Sequence, residues 1–234
     1  MVVVLLFLVC AAAVAGWWLA QQGLLAKPWL QQGYVASDRA HGPAPWTSAK
    51  TALLLFMGVV GSLFALMISA YTMRMQAADW RPLPVPAMLW VNTGQLILGG
   101  LVLRWTHGAA RRGDRDGVKA GLAAACVTAA AFLIGQLLVW RQLSAAGHRF
   151  TINPASSFFY LLLATHALHL AGGLFVLGRT TLRAWRRRLT VGLEESTGLL
   201  AAYFNLLLAL WLIIMGLLTG WAQSFAVFCQ RVLS

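Results

Sequence analysis

Carboxylates are what this sequence has least of. Only six of its 234 residues are acidic, Asp38, Asp79, Asp114, Asp116, Glu194 and Glu195, and none lies deep inside a long apolar run. Proton pumps and ion-coupled transporters keep ionisable carboxylates along their path, despite a cost of about 2.5 to 3.5 kcal/mol each on insertion scales. Their absence argues against an autonomous proton or cation transporter. Cysteine is scarce too: Cys10, Cys126 and Cys229 are odd in number and lie in or beside apolar runs. They read as small buried hydrophobes, not as a disulfide framework or a metal site. Charge of either sign makes up 10% of the residues and hydrophobic types 60%, with a mean hydropathy of +0.73. A soluble domain averages about 25% charged residues, so the chain is read as a polytopic membrane protein.

What charge there is runs to +12, which could suggest a nucleic-acid partner. The basic residues sit in short clusters at the ends of apolar runs instead of one stripe, so topology explains them and no nucleic acid is expected. Arg outnumbers Lys 15 to 3 and Ala, Gly and Leu dominate, a composition associated with a GC-rich bacterium.

The apolar runs number six and predict an all-α transmembrane bundle. Residues 1–22 form the first helix, whose run Met1 to Ala20 is uncharged and ends in the interfacial pair Trp17-Trp18. Ala13-Val14-Ala15 resembles a signal-peptide cleavage site, but the basic n-region is missing, so a retained helix is the preferred reading. Residues 23–50 hold Gly, Pro and polar types and read as an extramembrane connection. Residues 51–221 supply five more spans, near Thr51–Met73, Pro84–Leu103, Val118–Trp140, Phe158–Leu177 and Ser196–Trp221, and 222–234 form a tail. Lys and Arg in the five connections and the tail count 3, 2, 5, 2, 5 and 1. The odd connections therefore carry 13 and the rest 5, which places both termini on the periplasmic side of a bacterial inner membrane.

One run stands apart, Asn153 to Gly178, because it alone among the long apolar runs carries histidine. From Phe158 to Leu177 it has no charge, and about 20 residues at 1.5 Å each cover a ~30 Å hydrocarbon layer. His166, His169 and Gly173 fall at i, i+3 and i+7 with Gly172 beside them, a stripe expected to face protein, since imidazoles need partners that lipid does not offer. A haem or metal ligand pair is the sharper reading of the histidines. Packing by hydrogen bonds is preferred, because His41, His107 and His148 lie in loops or at span ends and no further ligand stands at depth. No catalytic residue and no metal ligand is assigned. Asn92, Gln95, Gln136, His166, His169 and Asn205 are expected to supply interhelical hydrogen bonds, each worth about 0.6 to 2 kcal/mol. Gly58, Gly61, Gly99, Gly100, Gly172 and Gly173 are expected to permit close helix approach.

The pattern Ser157-Phe158-Phe159, His166-Ala-Leu-His169, Gly172-Gly173 resembles the penultimate helix of subunit III of the haem-copper cytochrome oxidases. Trp80, Pro84 and Leu89-Trp90-Val91-Asn92-Thr93 with Leu96 look like a second block of that family, and Gln136 and Trp211 extend the resemblance over about residues 52 to 220. It implies a non-catalytic subunit III that stabilises subunit I, holds phospholipid in a cleft, and supports oxygen reduction and proton pumping by the complex. Haem and copper would belong to the partner subunit and none to this chain. The family often has seven helices ending outside, so this chain would be a six-span member.

Trp80, Arg81, Trp185 and Arg188 are the candidate lipid contacts. Interfacial anchoring explains the tryptophans equally well, and Arg188 and its neighbours could be topology signals alone. The resemblance also marks departures. Val60 and Val139 stand where many members have glutamate, and Tyr203-Phe204-Asn205 precedes Trp211 where the family commonly has histidine and aspartate, which puts carboxylate-dependent roles in doubt. Two alternatives remain: a subunit-III-like partner of a nitric oxide reductase, and an independent membrane enzyme or transporter with a cofactor on His166 and His169.

Overall fold

The computed structural model describes residues 48–81, 83–147, 153–186 and 192–220. Those residues form five α-helices: α1 Ser48–Arg74, α2 Met88–Arg111, α3 Arg115–Ala145, α4 Pro154–Arg186 and α5 Leu193–Leu218. The expected first span lies outside the described residues, as do Arg188, Trp221 and the C-terminal tail. The described chain is all-helical, as its composition requires. In a bilayer only a helix or a closed barrel satisfies every backbone polar group within itself.

Local chemistry sets the helix ends. Pro84 and Pro86 hold the chain out of helix until Met88, four residues later than the apolar run suggests. Between α2 and α3 the turn is tight, with Gly113 at φ 72 and the Asp114 carboxylate accepting from Gly117 N at 3.0 Å as the cap of α3. Asn153 opens α4: its Oδ1 accepts from Ala155 N at 3.1 Å, while Pro154 fills the first position, where a missing N–H costs nothing. The same amide donates through Nδ2 to Arg81 O at 2.6 Å, fastening the start of α4 to the segment that follows α1. At the end of α1, Arg74 grips Asp79 through two bonds of 2.7 and 2.5 Å. The guanidinium holds the Asp79 carboxyl below its ordinary range.

Four of the five helices are long and apolar enough to cross a membrane: α1, α3, α4 and α5. The exception, α2, carries Asn92, Thr93, Gln95, Arg104 and His107 in its 24 residues. Two of those residues explain how it is accommodated: Asn92 and Thr93 are buried in the bundle and face no lipid. Helices α2, α3, α4 and α5 pack in a ring, each on two neighbours, and α1 lies on the flank formed by α4 and α5. The ring encloses one apolar core, centred on Leu89, Leu103, Leu122, Phe132, Leu170, Leu177, Leu207 and Trp211. A smaller cluster joins Val60, Phe64 and Tyr71 of α1 to Leu162 of α4 and Leu210 and Ile214 of α5. Val60 is 1% exposed and belongs to that seam, so its place is filled by apolar contact.

Candidate functional site

The histidine stripe lies where α4 meets both the ring core and the α1 flank. His166 is fully buried, and its Nε2 lies 3.1 Å from Leu207 O on α5. A carbonyl oxygen only accepts, so Nε2 carries a proton, and in the neutral imidazole Nδ1 is then the acceptor. Three aromatic rings surround the imidazole: Trp211 at 5.0 Å, Phe132 at 5.6 Å and Phe64 at 6.3 Å between centroids. Trp211 in turn packs edge-on against Phe132 at 5.0 Å and donates its indole N–H to Thr93 Oγ1 at 2.9 Å. The Thr93 hydroxyl passes its own proton back to Leu89 O at 2.8 Å. One cluster thus links α2, α3, α4, α5 and, through Phe64, α1.

His169 is half-buried and behaves differently. Its Nδ1 donates to Thr165 O of its own helix at 2.7 Å, and its main-chain oxygen accepts from Tyr203 OH on α5 at 2.9 Å. The bond between helices therefore runs through the backbone of His169 and the phenol of Tyr203. Of the six residues expected to donate or accept across helices, only His166 does so through its side chain among the described residues. Asn92 and Gln136 are buried without such a bond, and Gln95 and Asn205 are half-buried. For Asn92 the reason is steric: its side chain lies directly against Gly135 on α3, in the space a Cβ would take.

The glycines divide in the same way. A Cβ at Gly99 would stand 3.0 Å from Thr128 Oγ1, and one at Gly173 would stand 2.8 Å from the Tyr203 ring. At Gly100 the nearest atom is 3.5 Å away, on Leu208. At Gly58, Gly61 and Gly172 a Cβ would meet no atom of another described helix within 4 Å. Gly58 and Gly61 are on α1, which meets the ring along the side of Val60 and Phe64, leaving both glycines off the contact. Sequence reading missed Gly121 and Gly135, which admit Thr106 and Asn92 into the α2–α3 seam. The signal was present: Gly121, Ala125, Thr128, Phe132 and Gly135 follow the 3–4 spacing of one helix face.

Beside the stripe, α1, α4 and α5 bound a cleft of about 590 Å³. His169, Tyr203 and Phe56 line one part of it, Gly172 forms part of its wall, and Arg183, Thr180 and Ser196 supply its polar groups. Fourteen residues separate His169 from Arg183, about 21 Å along a helix. Of the candidate lipid contacts, Trp80, Arg81 and Trp185 are not among its lining residues, and Arg188 lies outside the described residues. Trp80 packs edge-on against Tyr71 at 4.9 Å and faces Phe158 at 6.3 Å, Arg81 is exposed, and Trp185 is 64% exposed. Arg183 was legible only as one of five arginines between Arg179 and Arg188.

No group of three His, Cys, Asp or Glu side chains able to hold a metal ion occurs among the described residues. The features that stand out are a polar and aromatic centre in a membrane bundle and an apolar cleft with a cationic group. The family model for cytochrome c oxidase subunit III matches residues 50–223, and the chain belongs to that family. Among curated proteins it is similar to "Probable cytochrome c oxidase subunit 3" of Mycobacterium bovis and of Mycobacterium tuberculosis H37Rv. Each is 27% identical over 175 residues, covering 73% of this chain and 82% of the relative.

Proposed function

We propose that this chain is the non-catalytic subunit III of a bacterial haem-copper terminal oxidase of the cytochrome c oxidase type. One observation carries the reading: the family match runs from residue 50 to 223 and so takes in nearly all of the five described helices. The chain braces the catalytic subunit I in the plasma membrane, and the haem and copper that reduce oxygen sit in that partner. Proton pumping is likewise the work of the complex, in keeping with the lack of any Asp or Glu deep in an apolar run of this chain. The two histidines are packing groups, consistent with an imidazole N–H on each already committed to a carbonyl oxygen.

The cleft between α1, α4 and α5 is the lipid site. Its apolar wall suits an acyl chain, and Arg183 offers the cation that a phosphate headgroup needs. The ~21 Å from Arg183 to His169 exceeds half of a ~30 Å hydrocarbon layer, so a chain entering from one leaflet can be held along its length.

Purification of the chain from its native membrane tests both parts. Mass spectrometry is expected to find a haem-copper catalytic subunit and phospholipid with it. Haem or copper bound to the chain alone, or oxygen turnover without a companion subunit, overturns the reading. An Arg183→Gln complex is expected to assemble with its haem content intact but to retain less anionic phospholipid; unchanged lipid content removes the cleft assignment.

A further inference from the structure

Four polar atoms in the bundle core have no hydrogen-bond partner among the described residues: Asn92 Nδ2, Gln136 Nε2 and Oε1, and His166 Nδ1. Their residues come from α2, α3 and α4 and are 1%, 5% and 0% exposed. Leaving such a group unmade in an apolar interior costs about 1 to 3 kcal/mol, so several together are a debt the fold must discharge somewhere. The demands balance in kind. The two amide nitrogens need acceptors, while Gln136 Oε1 and the unprotonated His166 Nδ1 need donors. A cation would serve only the second pair and an anion only the first. A molecule that both donates and accepts serves all of them.

The α2–α3 seam brings the first two residues together. Asn92 lies on the α3 backbone at Gly135, the position next to Gln136, and the missing Cβ there is what admits its amide. No direct bond joins Asn92 to Gln136. Phe132, one turn before Gln136 on α3, touches the His166 ring, and Thr93, beside Asn92, takes the Trp211 N–H. The His166 ring thus belongs to the aromatic cluster, and Asn92 and Gln136 flank in sequence two of the residues that build it.

We infer that the bundle interior is an internal hydration site, in which ordered water bridges the Asn92 and Gln136 amides and a water O–H is donated to His166 Nδ1. Buried waters typically make about three hydrogen bonds to groups of this sort, and globular proteins hold on the order of one per 27 residues. Neither amide ionises between acid and alkali, so the Asn92–Gln136 part of the site holds water without storing charge. This inference does not depend on the oxidase assignment or on the lipid cleft.

A density map of the intact native complex, at a resolution that shows ordered water elsewhere in it, decides the matter. The expected result is a peak within hydrogen-bond distance of Asn92 Nδ2 and of Gln136, absent in the map of a Gln136→Leu complex. If that variant fails to accumulate, the unaltered map still decides. Amides bonded directly to each other or to protein carbonyls, or a dry seam in a map with water resolved elsewhere, overturns it.

Discussion

Helix α1 and helix α5 are almost equal in length, 27 and 26 residues, yet they are held in different ways. Across its most apolar stretch α5 has 50% of its residues buried, and α1 has 11%. Helix α5 gives the ring Trp211, Tyr203 and the Leu207 carbonyl, each with a directed partner on another helix. Helix α1 gives Val60, Phe64 and Tyr71 to a seam of dispersion contacts and leaves Leu54, Leu55, Val59 and Leu66 exposed. In a bilayer an exposed leucine loses nothing, because lipid tails are as apolar as the side chain. The contrast teaches that the ring is set apart from its flank by directed bonds as well as by burial, and that in lipid the directed bonds are the part an apolar surface does not replace.

The sharpest way to break that contrast is Trp211→Ala. It removes contacts to Phe132 and His166 together with the bond to Thr93, and a loss of about 3 to 5 kcal/mol is expected. Thermal unfolding of the solubilised complex should show it as the largest drop in midpoint, with haem content per catalytic subunit unchanged in what survives. A near-neutral result would mean that the aromatic centre is not what holds the ring.

Next comes a pair of substitutions at neighbouring positions. Gly173→Leu drives a side chain into Tyr203 and Phe204, and overpacking of this kind costs about 1 to 3 kcal/mol. Gly172→Leu meets open space and should leave the melting midpoint within error, while filling part of the cleft and reducing co-purified lipid. Equal destabilisation by both would contradict the geometry of the stripe.

His166→Gln should cost less, on the order of 0.6 to 1.7 kcal/mol for one interhelical bond in a membrane bundle. It is best read in a double-mutant cycle with Thr93→Val, whose effect should be non-additive with it, because Trp211 both packs on the His166 ring and donates to Thr93. The smallest effect belongs to Asp79→Asn, since Arg74 and Asp79 are both solvent-exposed. The folded carboxyl titrates below its unfolded value, so the pair contributes above the ordinary Asp range and its contribution is lost as pH falls through the lowered value. Melting midpoints of the variant and the unaltered complex should therefore converge in acid.

Much of the fold was legible because a membrane helix announces itself by length and apolarity alone. The five described helices fall where the runs lie, and their ends differ for local reasons. Helix α4 continues nine residues beyond Leu177, through three arginines, because long cationic stems can lie along apolar surface while their heads reach water. Helix α2 starts late because two prolines precede it. Which polar group bonds which was not legible. His166 and His169 are one turn apart with the same chemistry, yet one spans to α5 with its ring and the other with its main chain. The choice depends on where Tyr203 and Leu207 stand, and helical spacing within α4 contains no record of α5. The glycines divide similarly, Gly173 lying against Tyr203 and Gly172 against no other described helix, since spacing shows which residues share a face and not whether another helix lies against it.

Asn153 has a bearing that reaches past its own helix. Its amide performs two opposite tasks at once, taking a proton from Ala155 N and giving one to Arg81 O, seventy-two residues earlier in the chain. An ionised aspartate could take but not give, and a serine has too short a reach to do both in those directions. The mouth of this helix is thus a rivet between two distant stretches of chain, and only a short carboxamide has the chemistry to close it.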